Sequence, residues 1–347
     1  MIERFYGNAA AAGTLQQMLA SGRLTQTILL SGPEGIGKAT LARRFASLVL
    51  SGGRTSLDHR IERDDLSLPD NTAVATEREK LAADKRNDDP LLFSSHPDFV
   101  TFPPDGPMRQ ISIAQMRLLK ERSQLRPLHG NRRVFLIDRL DRANEQAANS
   151  LLKVLEEPPE HLVILMTAEN PYDLLPTIRS RSVMLALSRL PDEEMKQFAA
   201  ERNLDQAERR LALAGGSPGL ALSMDLDAYD KRRTAMMALL RVGAGEMPFT
   251  AWTRFSESIG ASKTEKLENY LRVLYLLLED VAFVMSGHPD VRNTDIRAEL
   301  DAVAGRVTFD WVRTAVARAD ELVMLSRRNI QKSLALDAMV LALRAGR

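Results

Sequence analysis

Residues 32–40 read GPEGIGKAT and have the spacing of a phosphate-binding loop, G-x-x-x-x-G-K. Glycines let successive backbone N–H groups point at phosphate oxygens, and the start of the following helix adds positive potential. We expect Lys38 to reach the β- and γ-phosphates of a nucleotide. The next residue binds Mg²⁺ when it is Ser or Thr, but here it is Ala39. Thr40 is turned by about 100° around the helix and cannot replace it.

A second candidate for chemistry ends the apolar run VFLID, residues 134–138. Asp138 stands where a buried strand of a nucleotide-binding sheet places a carboxylate that holds magnesium. In an ATPase the next residue is a Glu that polarises the attacking water, and here it is Arg139. A guanidinium does not deprotonate in proteins and repels a metal. Asp141 lies further along, and we expect it to cap a helix or to be solvated. We therefore predict no ATP hydrolysis by this chain alone.

Two interpretations of the glycine loop remain open, and neither requires a cofactor. One is a degenerate site that binds ATP or ADP weakly. Its candidate residues are Gly32, Gly35, Gly37, Lys38, Thr40 and Asp138. The other is a glycine turn that is retained for its shape alone.

The elements that position these residues alternate between strand and helix signals. Short apolar runs predict strands at 27–32, 134–138 and 161–168. Helical periodicity occupies 38–50, 111–125 and 144–157, and Pro176 stands where another helix can start. This alternation predicts an α/β P-loop domain with a mostly parallel sheet and helices on both faces.

Changes in pattern along the chain predict three domains. Residues 1–187 form the nucleotide-binding-like α/β domain, residues 188–224 a small helical lid domain, and residues 225–347 an all-helical domain. Within the first domain, residues 52–90 are rich in Arg, Asp, Glu and Lys with little periodicity. We predict that this charged insert is a loop or is partly disordered.

Bulk properties exclude several classes of protein. The 47 basic and 46 acidic residues give a formal net charge of +1, so any basic patch must be local. There is no cysteine, which excludes disulfides and Cys-ligated metal sites. The start of the chain lacks a long apolar run, and the most apolar later stretch, 273–285, contains Glu279 and Asp280. We expect a cytoplasmic protein.

Three longer stretches resemble the AAA+ clamp-loader family of bacterial DNA polymerase III, in its delta-prime branch. They are GPEGIGKATLARRFA (32–46), VFLIDRLDRANEQAANSLLKVLEEPPEH (134–161) and LLPTIRSRS (174–182). GSPGLA (216–221) and RRNIQKSLALDAMVLALR (327–344) also fit. The resemblance covers most of the chain except the insert.

The resemblance implies a three-domain subunit of a pentameric machine that uses ATP to open the sliding clamp and place it on primed DNA. It implies motor (gamma/tau) and delta subunits as partners, with residues 225–347 as the collar that holds the ring together. It also makes the chain a component of the DNA polymerase III holoenzyme.

The family's SRC motif appears here as SRS, residues 180–182. The resemblance implies that Arg181 reaches into the ATP site of the neighbouring motor subunit as an arginine finger. The alternative is an arginine that bridges carboxylates at a subunit interface. We expect Arg179 to lie on another face.

The chain also lacks two features that the resemblance leads us to expect in related clamp-loader subunits. The position of a nucleotide-sensing arginine is Gly219, and the charged insert replaces a four-Cys zinc module. The histidines show no ligand spacing, so we expect no zinc site. They are His59, His96, His129, His161 and His288.

Two alternative functions remain open. The chain is then either an active motor-type clamp-loader ATPase or a direct nucleic-acid binder. The stretches RRNIQK (327–332) and KERSQLRPLHGNRR (120–133) are basic, but aromatic residues make up only 5% of the chain and no stacking platform is visible.

Overall fold

The computed structural model describes most of the chain. Its described residues are 2–3, 5–262, 265–326 and 331–346. By internal contacts the chain divides into two compact units. The first comprises Met1–Ala207 and Gly216–Leu222, and the second comprises Glu208–Gly215 and Ser223–Arg347. The three predicted domains, with boundaries after residues 187 and 224, stay predictions.

The first unit is built on a sheet of five parallel strands in the order β2-β3-β4-β1-β5. The strands are β1 (Thr27–Ser31), β2 (Phe99–Phe102), β3 (Arg133–Ile137), β4 (Leu162–Ala168) and β5 (Val183–Ala186). The predicted parallel sheet and the strands β1, β3 and β4 are confirmed. These three strands are buried along their whole length, which is typical of a parallel sheet covered on both faces.

Helices follow or separate the strands, and local sequence explains where two of them begin. The helices up to residue 223 are α1 (Ala9–Ala20), α2 (Lys38–Leu50), α3 (His59–Glu62), α4 (Pro69–Arg78), α5 (Ala83–Asp88), α6 (Ile113–Ser123), α7 (Glu145–Glu156), α8 (Pro176–Arg179), α9 (Asp192–Arg202), α10 (Ala207–Ala214) and α11 (Pro218–Ser223). Ser112 caps α6 by accepting a hydrogen bond from the Gln115 amide. Asn144 caps α7 by accepting one from the Ala147 amide.

The apolar faces predicted for α2 and α7 are buried. Leu41 and Phe45 of α2, and Leu151 of α7, are 0% exposed. In the sheet, the rings of Phe102 and Phe135 pack edge to face with their centroids 5.7 Å apart. This contact packs β2 against β3, the strand that Asp138 follows.

The charged segment 52–90 is folded, so the prediction of a loop or partly disordered insert is wrong. It contains α3, α4 and α5. Arg43 of α2 is buried and forms an ion pair with Asp65. Arg78 of α4 is buried and donates to Asp105 through Nε (3.0 Å) and Nη2 (2.8 Å). Charges that suggested disorder are therefore paired inside the fold.

The second unit is helical, as predicted for the C-terminal region. Beyond α10 its helices are α12 (Leu226–Gly243), α13 (Thr250–Ala261), α14 (Leu267–Ser286), α15 (Arg297–Ala304), α16 (Phe309–Ser326) and α17 (Lys332–Ala345). Its core holds Trp252 and Trp311, the two tryptophans of the chain. Residues 327–330, which begin the basic RRNIQK stretch, lie outside the described residues. Within the described ranges, every helix is too short or too polar to cross a membrane.

A buried carboxylate fixes the segment that follows α14. Asp280 is 0% exposed and accepts hydrogen bonds from the Arg292 amide (2.7 Å), the Asn293 amide (3.0 Å) and Asn293 Nδ2 (2.7 Å). Asn293 Oδ1 accepts in turn from the Tyr229 hydroxyl (2.8 Å) and from Arg233 (3.1 Å). The charge that interrupts the apolar run is therefore the centre of a polar network.

Candidate functional site

The glycine loop joins the end of β1 to the start of α2. Gly35 and Gly37 have left-handed φ angles of 73° and 96°. A Cβ atom on Gly32 would lie 2.2 Å from the Leu187 carbonyl oxygen. Backbone conformation and close packing therefore both require glycine in this loop. The turn predicted from the glycine spacing is present.

Lys38, the first residue of α2, is turned back onto its own loop. Its ammonium donates to the carbonyl oxygens of Gly32 (2.6 Å) and Pro33 (2.7 Å), and the residue is 8% exposed. Burial lowers the pKa of Lys38, while the carboxylates of Glu169 and Asp138 oppose that shift. The cation expected to meet phosphate is therefore held by two backbone carbonyls.

The outer side of the loop is covered by other parts of the first unit. The Gly219 amide donates to the Gly35 carbonyl (2.8 Å), and a Cβ on Gly35 would lie 2.7 Å from Leu220 Cγ. A Cβ on Gly37 would lie 3.1 Å from the ring of Phe5. The start of α11, which contains Gly219, thus packs directly on the glycine loop.

At the end of β3 the chain builds a hydrogen-bonded link instead of a catalytic pair. The Thr167 hydroxyl donates to Asp138 (2.6 Å) and accepts from the Arg139 amide (2.8 Å). The Arg139 side chain forms an ion pair with Glu34 of the glycine loop. Burial acts to lower the pKa of Arg139, but the charges of Glu34 and Asp138 outweigh it and raise this pKa. Arg139 is therefore a cationic cross-link between β3 and the loop.

These residues do not fit a magnesium–nucleotide complex. Ala39 offers a methyl group in place of the ligand hydroxyl, and Thr40 follows it, half-buried, in the first turn of α2. Arg139 brings a positive charge beside Asp138, the one predicted metal-binding carboxylate. Among the described residues, no group of three or more His, Asp or Glu side chains is placed to hold a metal ion.

Asp141 is not a capping or solvated carboxylate, and that expectation is wrong. It lies in a 3₁₀ turn, Leu140–Arg142, and is half-buried. Burial, followed by the charge of Glu169, raises the pKa of Asp141. Asp141 Oδ1 and Glu169 Oε1 are both buried without a hydrogen-bond partner. Sequence reasoning missed Glu169, although it follows β4 as Asp138 follows β3.

The SRS motif ends the short helix α8. Pro176 occupies the first turn of this helix, as predicted, and Ile178 is 0% exposed. The two serines close the end of the helix, because the Ser180 hydroxyl donates to the Thr177 carbonyl (3.2 Å) and the Ser182 hydroxyl to the Ile178 carbonyl (2.8 Å). The motif therefore presents Arg181 from a rigid turn.

Arg181 lies at the opposite edge of the sheet from the glycine loop. Its carbonyl oxygen accepts a hydrogen bond from the hydroxyl of Thr27, the first residue of β1. The glycine loop follows Ser31, the last residue of the same five-residue strand. The strand places about 13 Å between Thr27, which contacts Arg181, and Ser31, which precedes the loop. Arg181 therefore does not belong to the phosphate loop of its own chain.

Arg179 and Arg181 make different contacts. The Arg179 guanidinium carbon lies 5.0 Å from the centre of the Tyr172 ring. Arg181, which is 34% exposed, donates to the Thr177 carbonyl (3.0 Å) and forms an ion pair with Glu156 (2.9 Å). The two neighbouring arginines are therefore distinct in environment, which makes Arg179 a matched control for Arg181.

A family model described as "DNA polymerase III, delta subunit" matches residues 7–191, more than half of the chain. The chain belongs to this family. The part that matches the delta subunit model contains all five strands of the sheet, the glycine loop and Arg181.

Curated subunits of DNA polymerase III are similar to part of the chain. A delta' subunit from Pseudomonas aeruginosa is 32% identical over 199 residues, which is 55% of this chain and 52% of that protein. A delta' subunit from Bacillus subtilis is 29% identical over 214 residues, 59% of this chain and 63% of that protein. A gamma/tau subunit from Mycobacterium tuberculosis is 30% identical over 227 residues, 63% of this chain and 35% of that protein.

The chain spans less than two thirds of the length of each of these relatives. With the family match, they confirm the resemblance to the delta-prime branch of the clamp-loader family. A solved structure of a DNA polymerase III gamma subunit-related protein from Thermotoga maritima aligns over 96% of this chain and 99% of that one. Its TM-score is 0.49 and its sequence identity is 16%.

Proposed function

We propose that this chain is a non-motor, delta-prime-like subunit of the DNA polymerase III clamp loader. It helps to load the sliding clamp onto primed DNA and donates Arg181 to the ATP site of a neighbouring motor subunit. One observation carries the proposal: Arg181 is presented from a rigid turn at the sheet edge opposite the chain's own glycine loop. An always-charged planar guanidinium suits the charge that develops on a transferred phosphoryl group.

The condition of the chain's own loop supports a non-motor role. Lys38 is bonded to loop carbonyls, and Arg139 stands where a water-polarising carboxylate is needed. In this proposal the glycine loop has a structural role and binds ATP or ADP at most weakly. We propose that the chain requires no cofactor of its own and no zinc.

The proposed partners are the motor (gamma/tau) and delta subunits, which we place beside this chain in the ring. The sliding clamp and primed DNA are reached through the assembled complex, in the cytoplasm. In this arrangement the helical residues 225–347 act as the collar that joins the subunits. The relatives named above, delta' and gamma/tau subunits of DNA polymerase III, support this choice of partners.

The proposal is tested by reconstituting the complex with motor and delta subunits, clamp and primed DNA. ATP turnover is measured with the wild-type chain, with Arg181→Ala and with the control Arg179→Ala, and assembly is checked by gel filtration. We expect Arg181→Ala to slow the motor site that receives this arginine by about 100-fold or more, with assembly intact. Arg179→Ala should leave turnover within about twofold of wild type. Unchanged turnover with Arg181→Ala would refute the proposed role.

A separate measurement tests the absence of a motor in this chain. The purified chain should release no phosphate from ATP above background, and Lys38→Ala should not change that result. Hydrolysis that Lys38→Ala abolishes would instead support the motor-type alternative.

A further inference from the structure

Arg181 is held from two sides within its own chain. Its Nη2 lies 2.9 Å from Glu156 Oε1, and its Nη1 donates to the Thr177 carbonyl at 3.0 Å. A guanidinium carries five N–H donors, so these contacts leave further donors for an anion. Glu156 is the last residue of α7, and its side chain is 49% exposed. The pair therefore lies at the surface, where a partner can meet it.

Gln26, just before β1, and Thr27, its first residue, anchor the segments on both sides of this ion pair. Gln26 Nε2 donates to the carbonyl oxygens of Pro159 (2.6 Å) and Leu162 (3.2 Å), in the segment that follows Glu156. Thr27, the next residue, donates through its hydroxyl to the Arg181 carbonyl. One dipeptide thus ties the end of α7 and the SRS turn to the same strand.

We propose that Glu156 is a positioning residue for Arg181. It fixes the guanidinium in the orientation in which Arg181 meets the phosphate of the neighbouring subunit, and this inference rests on the proposed function. A free arginine side chain samples many rotamers, and ordering it before the phosphate arrives lowers the entropic cost at the reacting centre.

The strength of the Glu156–Arg181 ion pair decides whether Glu156 positions the arginine or competes with phosphate for it. A carboxylate beside a guanidinium also has the charge to hold it away from phosphate. However, an ion pair as exposed as this one favours its paired geometry by no more than about fivefold. That is too weak to withhold Arg181 from a polyphosphate, which offers more negative charge and two or more oxygens. It is sufficient to bias the rotamers of a side chain that already has one backbone contact.

The test uses the reconstituted complex and follows the Arg181-dependent turnover, which is the difference in ATP turnover between wild type and Arg181→Ala. We expect Glu156→Ala to lower this turnover by about three- to fivefold through kcat, with KM for ATP unchanged. Glu156→Gln keeps an acceptor oxygen and should recover at least half of it. Glu157→Ala removes the same charge one residue further on and should have no effect.

A double variant separates positioning from a general effect on the fold. Arg181→Ala with Glu156→Ala should be no slower than Arg181→Ala alone, because the glutamate acts only through the arginine. Additive losses, or a faster complex with Glu156→Ala, would overturn the positioning role while the arginine finger stands. Full turnover with Arg181→Ala would instead overturn the proposed function, and this inference with it.

Discussion

Arg139 has a structural role at the position where an ATPase carries a catalytic carboxylate. At the end of β3 its guanidinium pairs with Glu34, and its amide donates to Thr167. Arg139 thus joins the ends of β3 and β4 to the glycine loop, through its amide and its side chain together. In a hydrolase this position must remain free to orient water, whereas here it is used to fix the loop. The side chain that cannot act as a catalytic base is therefore the one that makes this structural contact.

We predict that Arg139→Glu does not create an ATPase. The new carboxylate would face Glu34 with like charge, and Ala39 would still lack the magnesium-binding hydroxyl. The free energy of unfolding should fall by about 1–3 kcal/mol, measured by denaturation followed by circular dichroism. Arg126→Glu makes the same charge change in an exposed loop and should cost less than about 0.5 kcal/mol. Hydrolysis by Arg139→Glu would contradict the prediction.

The raised pKa of Asp141 predicts a pH-dependent effect of this single residue on stability. Burial, then Glu169, raises its pKa, so the folded chain holds this proton more tightly than the unfolded chain. Stability from this group is therefore present below the unfolded pKa and is lost as pH rises through the folded pKa. Asp141→Asn should raise the free energy of unfolding at pH 7 by a few tenths to about 1 kcal/mol, and by less near pH 4.

Thermal unfolding of wild type and Asp141→Asn at pH 4 and pH 7 measures this difference. Asp88→Asn, at an exposed position in α5, is the control and should show no pH-dependent gain. A variant that is less stable than wild type at pH 7 would show that the carboxylate is needed in its charged form.

Among the elements, those that carry strong local patterns are predictable from sequence, and the others are not. Strand β1 and helix α2 follow from an apolar run, glycine spacing and helical periodicity. Strands β2 and β5 have four residues each, too few for a periodic signal, and were missed. The helices of segment 52–90 were missed because they are short and rich in charge, and their order depends on ion pairs with distant residues.

The same limit applies to the candidate site. The glycine loop and the SRS turn are readable because their residues are contiguous. The partner of Arg139 is 105 positions away, and the hydroxyl that anchors Arg181 is 154 positions away. Periodicity and composition carry no information about such pairs. The parallel sheet brings them together, since it places all strand starts at one edge and all strand ends at the other.

Asp280 makes a prediction about the helical unit. Asp280→Ala leaves buried donors of Arg292 and Asn293 without an acceptor, so unfolding of this unit should become easier by about 2–4 kcal/mol. Both tryptophans of the chain lie in its core, so tryptophan fluorescence in guanidinium chloride reports on this unit selectively.

Asp290→Ala is the control, because Asp290 is an exposed aspartate in the segment between α14 and α15. It should move the fluorescence midpoint little. Equal midpoints for Asp280→Ala and wild type would show that other acceptors replace the buried carboxylate.

Across the whole molecule, basic and acidic charges nearly cancel. A net charge of +1 gives no strong overall field, and an aromatic content of 5% supplies few side chains for stacking on nucleic-acid bases. Several arginines are also engaged by carboxylates of the same chain, including Arg43, Arg78 and Arg241. We therefore expect the isolated chain to bind nucleic acid weakly.

We predict that the isolated chain binds a primed duplex no more tightly than about 1 µM at 0.15 M salt. Fluorescence anisotropy with a labelled duplex measures the affinity and, when repeated between about 0.05 and 0.2 M salt, its salt dependence. Binding through phosphate contacts weakens steeply over this range. Tight binding with a steep salt dependence would favour the nucleic-acid-binding alternative.

The anchoring of Arg181 has a genetic consequence. Thr27 holds the backbone of this residue, and Ile178 is buried beneath the turn, so removing the side chain leaves the turn in place. In the proposed clamp loader, a subunit with Arg181→Ala should therefore enter the ring as readily as wild type and slow the motor site that it faces in each ring that it joins. In a cell that expresses both forms, the altered allele is expected to be dominant, in proportion to its share of the subunit pool.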